Sequence, residues 1–339
     1  MTLDRREFLG YAECWQNGRW YEPPVPMRGL ARCYDMSPHH RSAIIFKRNQ
    51  LLRHFVPLDR FGNPVEDYID DDGIKRKGSG LAPLLDRRNF GELALNLLQM
   101  GNCYLERRDS MLGTPLVLVN SPAIHTRRGV EEGAFWWVPG YKLETPFAAG
   151  AVFHLYEAEL TQEIYGLPEW TSALQSGLLN ADATVFRRKY YQNGSHMGYI
   201  LYVSEETLSD EDGDAIEAAM DEAKGPGNFR NFFLHLPGGK EKGVQVIPVG
   251  EATAKDEFMG IKNATRGDIL TAHRVPPVLI GVVPEVNGGF GKPSEAADAF
   301  HFAEIEPLQL RFLEVNVWLG LEAVRFRRYE RQTAGEFSR

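Results

Sequence analysis

Residues 255–293, KDEFMGIKNATRGDILTAHRVPPVLIGVVPEVNGGFGKP, constrain the fold more than any other stretch of the chain. Helix formers dominate 255–274, and the apolar side chains of Phe258, Ile261, Ile269 and Ala272 roughly follow the helical period. Pro276 pushes Val275 out of the α region, so the helix stops abruptly at Val275-Pro276-Pro277. A short apolar run after the prolines reads as a strand. From 281 to 293, six of thirteen residues are Gly or Pro, which prevents regular structure and permits a protruding loop. Ser294 is placed to cap another helix, with Glu295 in its first turn.

A second long helix precedes this block. Pro168 opens it, where a missing N–H costs nothing. Trp170, Leu174, Leu178, Ala181, Val185 and Phe186 then step by three or four to about Tyr191. About 24 residues give a rod of roughly 36 Å. Taken alone, such a rod is ordinary core packing. Between the two helices, 196–250 reads as a strand (198–203), an acidic helix (about 208–223) and two strands (231–236 and 244–249).

Upstream, the first 50 residues are turn-rich around Trp15, Trp20, Tyr21, Pro23, Pro24 and Pro26, and they read as an arm or a strand-poor entry segment. Residues 59–80 form a polar loop, expected to be exposed. Helical period resumes over 86–100 with Phe90, Leu93, Leu97 and Leu98, and Gly101 suits the helix end. Short β-rich segments at 103–107, 115–120, 134–138 and 151–157 make this part a mixed α+β unit.

Charge and composition narrow the function. The chain of 339 residues carries a net charge of −8, and nine carboxylates without one Lys or Arg lie between Ser204 and Ala223. Tight DNA binding requires a basic patch, because phosphate neutralisation dominates affinity. The acidity argues against that, but not against a passage in which DNA must slide. The run itself is either a solvated helix face or a surface turned to a channel mouth or partner. At 43% hydrophobic and 25% charged, the composition is that of a globular protein of one large or two to three smaller units. Cys14, Cys33 and Cys103 form no CxxC pair and support neither a disulfide framework nor a zinc site. With no signal-peptide pattern and no run near the roughly 18 apolar residues a membrane helix needs, a soluble intracellular product is expected.

Catalytic motifs fail on inspection. Gly288-Gly289-Phe290-Gly291-Lys292 has Val286 where a phosphate loop needs Gly, and Pro293 where it needs Ser or Thr. Asp67 with Asp70–Asp72 lacks the spacing and downstream Glu of a calcium loop. His39-His40 is the only adjacent histidine pair, and no HExxH occurs. No catalytic residue, metal site or cofactor is expected.

Several short motifs recur along the chain in a set order. Trp20-Tyr21-Glu22-Pro23-Pro24 precedes Ser37-Pro38-His39-His40-Arg41-Ser42-Ala43 and Lys47. Gly101-Asn102-Cys103-Tyr104-Leu105, Tyr165-Gly166-Leu167-Pro168-Glu169-Trp170, Tyr191-Gln192-Asn193-Gly194 and Leu234-His235-Leu236-Pro237-Gly238-Gly239 follow, before the 255–293 block. Over nearly the whole chain this resembles the portal proteins of tailed bacteriophages, most closely those of contractile-tailed temperate phages and related defective prophages.

The resemblance implies an α+β portal fold, with an α/β wing at 1–165 and a first stem helix at 166–195. A small α/β clip at 196–250, a second stem helix at 251–280 and a tunnel loop at 281–293 come next. A long wing helix and short C-terminus at 294–339 complete it. It implies a ring of the chain's own copies, usually twelve, at the capsid vertex of the virion, assembled in the host bacterial cytoplasm. Double-stranded DNA would pass through the ring, in contact with Asn287, Gly288, Gly289, Phe290, Gly291 and Lys292. The implied partners are the terminase large subunit, then the head–tail connector or completion protein, and the major capsid protein. Glu211, Asp214 and Glu217 of the clip are the expected docking residues. Two other readings stay open: a metal-dependent phage nuclease using Asp67–Asp72, and a structural adaptor without a channel.

Overall fold

The computed structural model describes residues 14, 16–69, 73–140, 143–160, 163–192, 199–203, 244–248, 254–282 and 292–330. It divides into two compact units, one of residues 1–174 with 268–339 and the other of 175–267.

In the larger unit, α1 (Met27–Cys33) and α2 (Pro38–His54) make the described part of the expected arm or strand-poor entry segment largely helical. Ser37 caps α2 and Pro38 takes its first position, a strong start signal. The apolar period failed to reveal α2 because His40, Lys47 and His54 lie on its buried side with Ala43, Ile44 and Leu51. Strands β1 (Phe55–Pro57), β2 (Tyr68–Ile69) and β3 (Lys75–Arg76) follow. Most described residues of the polar loop 59–80 are exposed or half-buried, as expected, with Asp59 and Pro64 the exceptions. Asp59 is buried, and its carboxylate accepts the backbone N–H groups of Phe61 and Asn63 at 2.8 and 3.0 Å.

Helix α3 (Arg87–Met100) is capped by Asp86 and ends at Gly101 in the left-handed conformation, φ 66°. It lies against a sheet built from β4 (Asn102–Asp109), β5 (Pro115–Ser121) and, further along, β9 (Val152–Tyr156). The order is β5-β4-β9, all antiparallel, with Tyr104 opposite both Ser121 and His154. Between β5 and β9 come β6 (Thr126–Arg128), β7 (Phe135–Trp137) and β8 (Thr145–Pro146), a second antiparallel sheet. A 3₁₀ turn at Glu169–Ala173 leads into α4 (Leu174–Gln192).

The smaller unit holds most of α4, strands β10 (Tyr199–Val203) and β11 (Val244–Pro248), and most of α5 (Ala254–Ala272). β10 and β11 pair antiparallel, from Tyr199 opposite Pro248 to Val203 opposite Val244. The acidic helix and the strand expected at 231–236 lie outside the described residues. Along α4 the buried line is Gly177, Asn180 and Ala183. Val185 and Phe186 are exposed, against the expected apolar stripe, and so is Leu179. Buried Asn180 donates from Nδ2 to Oγ1 of Thr265 on α5 at 2.8 Å.

After α5 the chain makes a 3₁₀ turn at Pro277–Ile280, where a strand was expected. Two consecutive prolines remove backbone donors and fix φ, which a turn tolerates and a paired strand does not. α6 (Pro293–Phe300) starts from Lys292, not Ser294, because Pro293 occupies the first helical position. The helical run passes through a π turn at His301–Ile305 into α7 (Glu306–Phe312) and α8 (Glu314–Leu319). Pro307 explains the π turn: it offers no N–H, and its ring excludes an ordinary α turn before it. The run ends at Gly320, and β12 (Val324–Phe326) returns to pair with β1.

One apolar core unites α2, α3, the β4 sheet, Leu270, Val275 and the helices after Pro293. At its centre Phe90 stacks on Phe55, centroids 4.1 Å apart, and meets Phe312 edge-on at 5.2 Å.

Candidate functional site

Several of the motifs scattered through the sequence meet in the larger unit, while Tyr191-Gln192 belongs to the smaller one. Asn102 links the Gly101–Leu105 motif to the Tyr165–Trp170 motif. Its Nδ2 donates to the Gly166 carbonyl at 2.7 Å, and its Oδ1 accepts from the Gly166 N–H at 2.9 Å. The Tyr165 hydroxyl donates to the Tyr21 carbonyl at 2.5 Å and accepts from the Arg128 N–H at 2.9 Å. These bonds fix where Pro168 and Glu169 start the path towards α4. Trp170 is buried, with its indole N–H on the Gln99 carbonyl at 3.0 Å and its ring edge-on to His40.

His40, from α2, stands in a chain of buried hydrogen bonds. Gln99 donates from Nε2 to the Leu30 carbonyl at 2.6 Å, so its Oε1 faces His40 Nε2 at 3.1 Å. His40 Nε2 therefore carries the proton, and its Nδ1 is left to accept from His273 Nε2 at 3.0 Å. Both rings serve as neutral imidazoles. Burial pushes His40 down to about 4, with the Gln99 bond opposing. Burial and the neighbours His40, Lys47 and Arg274 push His273 to about 2.

Two helical turns further along α2, Lys47 forms a buried ion pair with Glu304 of the π turn. Glu304 also accepts from Arg274 Nε at 2.5 Å and from its Nη2 at 3.1 Å. Burial raises the Glu304 carboxyl, but Arg274 and Lys47 outweigh it and hold the group below its ordinary value. Arg274 reaches Glu169 as well, closing a cluster of two cations and two carboxylates.

Arg274 is also the one non-glycine residue with positive φ among those described, at 54°. It ends α5 with a left-handed turn: Val275 N–H bonds the Leu270 carbonyl at 3.1 Å, and Arg274 N–H the Thr271 carbonyl at 2.9 Å. Glycine usually holds this place, and a side chain there costs about 1 kcal/mol. Leu270 and Val275, buried in the core, and the two carboxylates hold it.

This junction was not predicted as a site. The expected Glu211, Asp214 and Glu217, and Asn287, Gly288, Gly289, Phe290 and Gly291, lie outside the described residues. Lys292 is exposed at the start of α6, and its Nζ donates to Glu295 at 2.9 Å. Of the acidic cluster, Asp67 accepts the Gly78 N–H at 3.0 Å, while Asp70–Asp72 lie outside the described residues. Among the described residues no group of three or more His, Cys, Asp and Glu is placed to hold a metal, and no helix is long and apolar enough to cross a membrane.

Residues 86–331 match the family described as Phage portal protein. A "Probable portal protein" of Escherichia phage P2 is 44% identical over 332 residues, covering 98% of this chain and 90% of that one. The chain belongs to the phage portal protein family.

Solved structures share the portal fold at low identity. A chain in the neck of a native GTA particle, computed with C12 symmetry, superposes with a TM-score of 0.61 at 19% identity, covering 97% of this chain and 90% of its own. An HK97 family phage portal protein from Corynebacterium diphtheriae gives 0.59 at 15%, covering 87% and 93%. The likeness to these two is one of fold. Within the portal family, then, the buried junction lies where the chain of this protein turns from α5 towards the helices after Pro293.

Proposed function

We propose that the chain is the ring-forming subunit of the portal vertex. Rings of twelve copies would line the channel through which double-stranded DNA passes into and out of the capsid. The observation that carries this reading is the 44% identity to a phage portal protein along 98% of the chain. The C12 symmetry of a neck structure with the same fold supports twelve copies. Such a ring is a head-to-tail assembly closed by rotation, each copy meeting its neighbour through two different surfaces. Exposed Leu179, Val185 and Phe186 on α4 supply apolar area that a contact with another copy would cover.

In this reading 1–165 is the wing, 166–195 and 251–280 are the stem helices, and 294–339 returns to the wing. The clip, 196–250, docks the terminase large subunit and later the head–tail connector through Glu211, Asp214 and Glu217. The tunnel loop, 281–293, meets DNA. The vertex adjoins the major capsid protein, the ring resides in the virion after assembly in the host cytoplasm, and the role is structural and needs no cofactor. Negative-stain images of the purified protein should show rings with a central hole. Sedimentation as monomer or dimer only, at high protein concentration, would overturn the reading.

A further inference from the structure

Chain passes between the larger unit and residues 175–267 at two places, after Leu174 and before Asp268. Within the larger unit, the root of the first passage is the 3₁₀ turn Glu169–Ala173, and the root of the second is the end of α5 with the turn at His273–Val275. The guanidinium of Arg274 joins both roots directly, contacting Glu169 on the first and belonging to the second, beside the bridge that His40 makes between Trp170 and His273. Its other face is held by Glu304 from the buried π turn, which Lys47 anchors in turn.

We propose that Arg274 is a clamp that couples the two roots and is set by its own left-handed backbone. The reasoning is steric and electrostatic. A side chain in the left-handed region is disfavoured, so residue 274 stays there only while surrounding contacts over-determine it. Three contacts do so: the paired hydrogen bonds that close α5, the fork of Arg274 on Glu304, and the contact with Glu169. Moving residue 274 to another φ would swing its Cα–Cβ direction and withdraw the guanidinium from both carboxylates together. Conversely, withdrawing Glu169 removes one of the contacts that hold the strained residue. A disturbance at the first root is therefore felt at the second, although among the described residues no backbone hydrogen bond joins 169–174 to 273–275. A π turn beside a strained residue is also the kind of local irregularity found at functional sites.

This inference stands apart from the ring reading, since it concerns contacts inside one subunit. The test is hydrogen–deuterium exchange on the full-length protein in whatever assembly it forms. It compares wild type with Glu169→Gln, Arg274→Asn and the double variant; asparagine tolerates the left-handed conformation but cannot bridge the carboxylates. Glu169→Gln should speed exchange about three-fold, the scale of a half-exposed ion pair, at 171–174 and equally at 273–275. Arg274→Asn should speed both segments at least as much, and the double variant should add nothing to the stronger single one. Exchange across α3 should stay unchanged in all three. An effect of Glu169→Gln confined to 171–174, or single effects that multiply in the double variant, would overturn the clamp. Because Glu169 is half-exposed, its variant folds and keeps the test decisive even if Arg274→Asn does not.

Discussion

His40 and His273 face each other nitrogen to nitrogen at 3.0 Å inside the larger unit, and Gln99 fixes which of them donates. A proton added to His40 has only Nδ1 to occupy, and it would point at the N–H of His273. This pair therefore makes the fold sensitive to acid.

The sign follows from the depressed values. Folded His40 titrates near 4, against an ordinary 6.5, so between those values the unfolded chain binds the proton and the folded one does not. Stability should be level above about pH 7 and fall as pH drops from 6.5 to 4. For His40 alone the loss is of order 2–3 kcal/mol at pH 4, since each tenfold difference in proton affinity is worth about 1.4 kcal/mol. Urea unfolding from pH 4 to 8 measures it. A His40→Asn variant with the same slope between pH 6.5 and 4 as wild type would show that the acid response lies elsewhere.

Glu304 should be the most costly single loss in the ionic cluster. Glu304→Gln leaves Lys47 buried without its counter-charge, which costs about 3 kcal/mol or more. Lys47→Met should cost less, because Arg274 continues to neutralise Glu304. Denaturation midpoints give the order, and a Lys47→Met variant weaker than Glu304→Gln would contradict it.

Gly101→Ala tests how α3 is joined to the path into Glu169. A Cβ there would lie 2.5 Å from the Leu167 carbonyl carbon and the Pro168 nitrogen, with φ at +66°. Steric overlap adds to the backbone strain, so a loss of about 3 kcal/mol is expected. Gly133→Ala, at φ +72° with open space around it, should lose only about 1 kcal/mol. Equal melting shifts in the two variants would mean that the approach of Leu167 and Pro168 is not what demands glycine.

For the proposed clip and tunnel loop, two changes separate assembly from function. Reversing Glu211, Asp214 and Glu217 to Lys should leave rings intact while impairing terminase or connector docking. Deleting Asn287–Gly291 should likewise leave rings intact but reduce packaging or retention of DNA. Normal phage yield from either variant would remove that segment from the proposed mechanism. Lys292 carries little of the second expectation alone, because one exposed cation per subunit acts weakly beyond about 10 Å at ordinary salt.

What the sequence made legible was local. Asp86, the apolar period through Leu97 and the glycine at 101 read directly as α3, because cap, face and stop agree. The stop at Val275-Pro276 was equally plain. α2 escaped because its buried side carries two histidines and a lysine, so burial there does not follow hydrophobicity. Ser37-Pro38 was the signal that could have found it. The ionic junction was out of reach for another reason: Lys47 and Glu304 stand 257 positions apart, and nothing in either neighbourhood names the other. Three of the four junction residues, Lys47, Glu169 and Arg274, do come from the motifs that carried the family resemblance.

The π turn at His301–Ile305 has a consequence for how this chain can vary. A π turn is an α-helix with one residue to spare, and the wide turn absorbs that residue while α6 and α7 stay in phase. Taking one residue out would restore a regular helix and turn the flanking helices little. What would move is the turn itself, which would carry Glu304 away from Lys47 and Arg274. The spare residue is thus kept for where it puts one carboxylate, and not for the course of the helices around it.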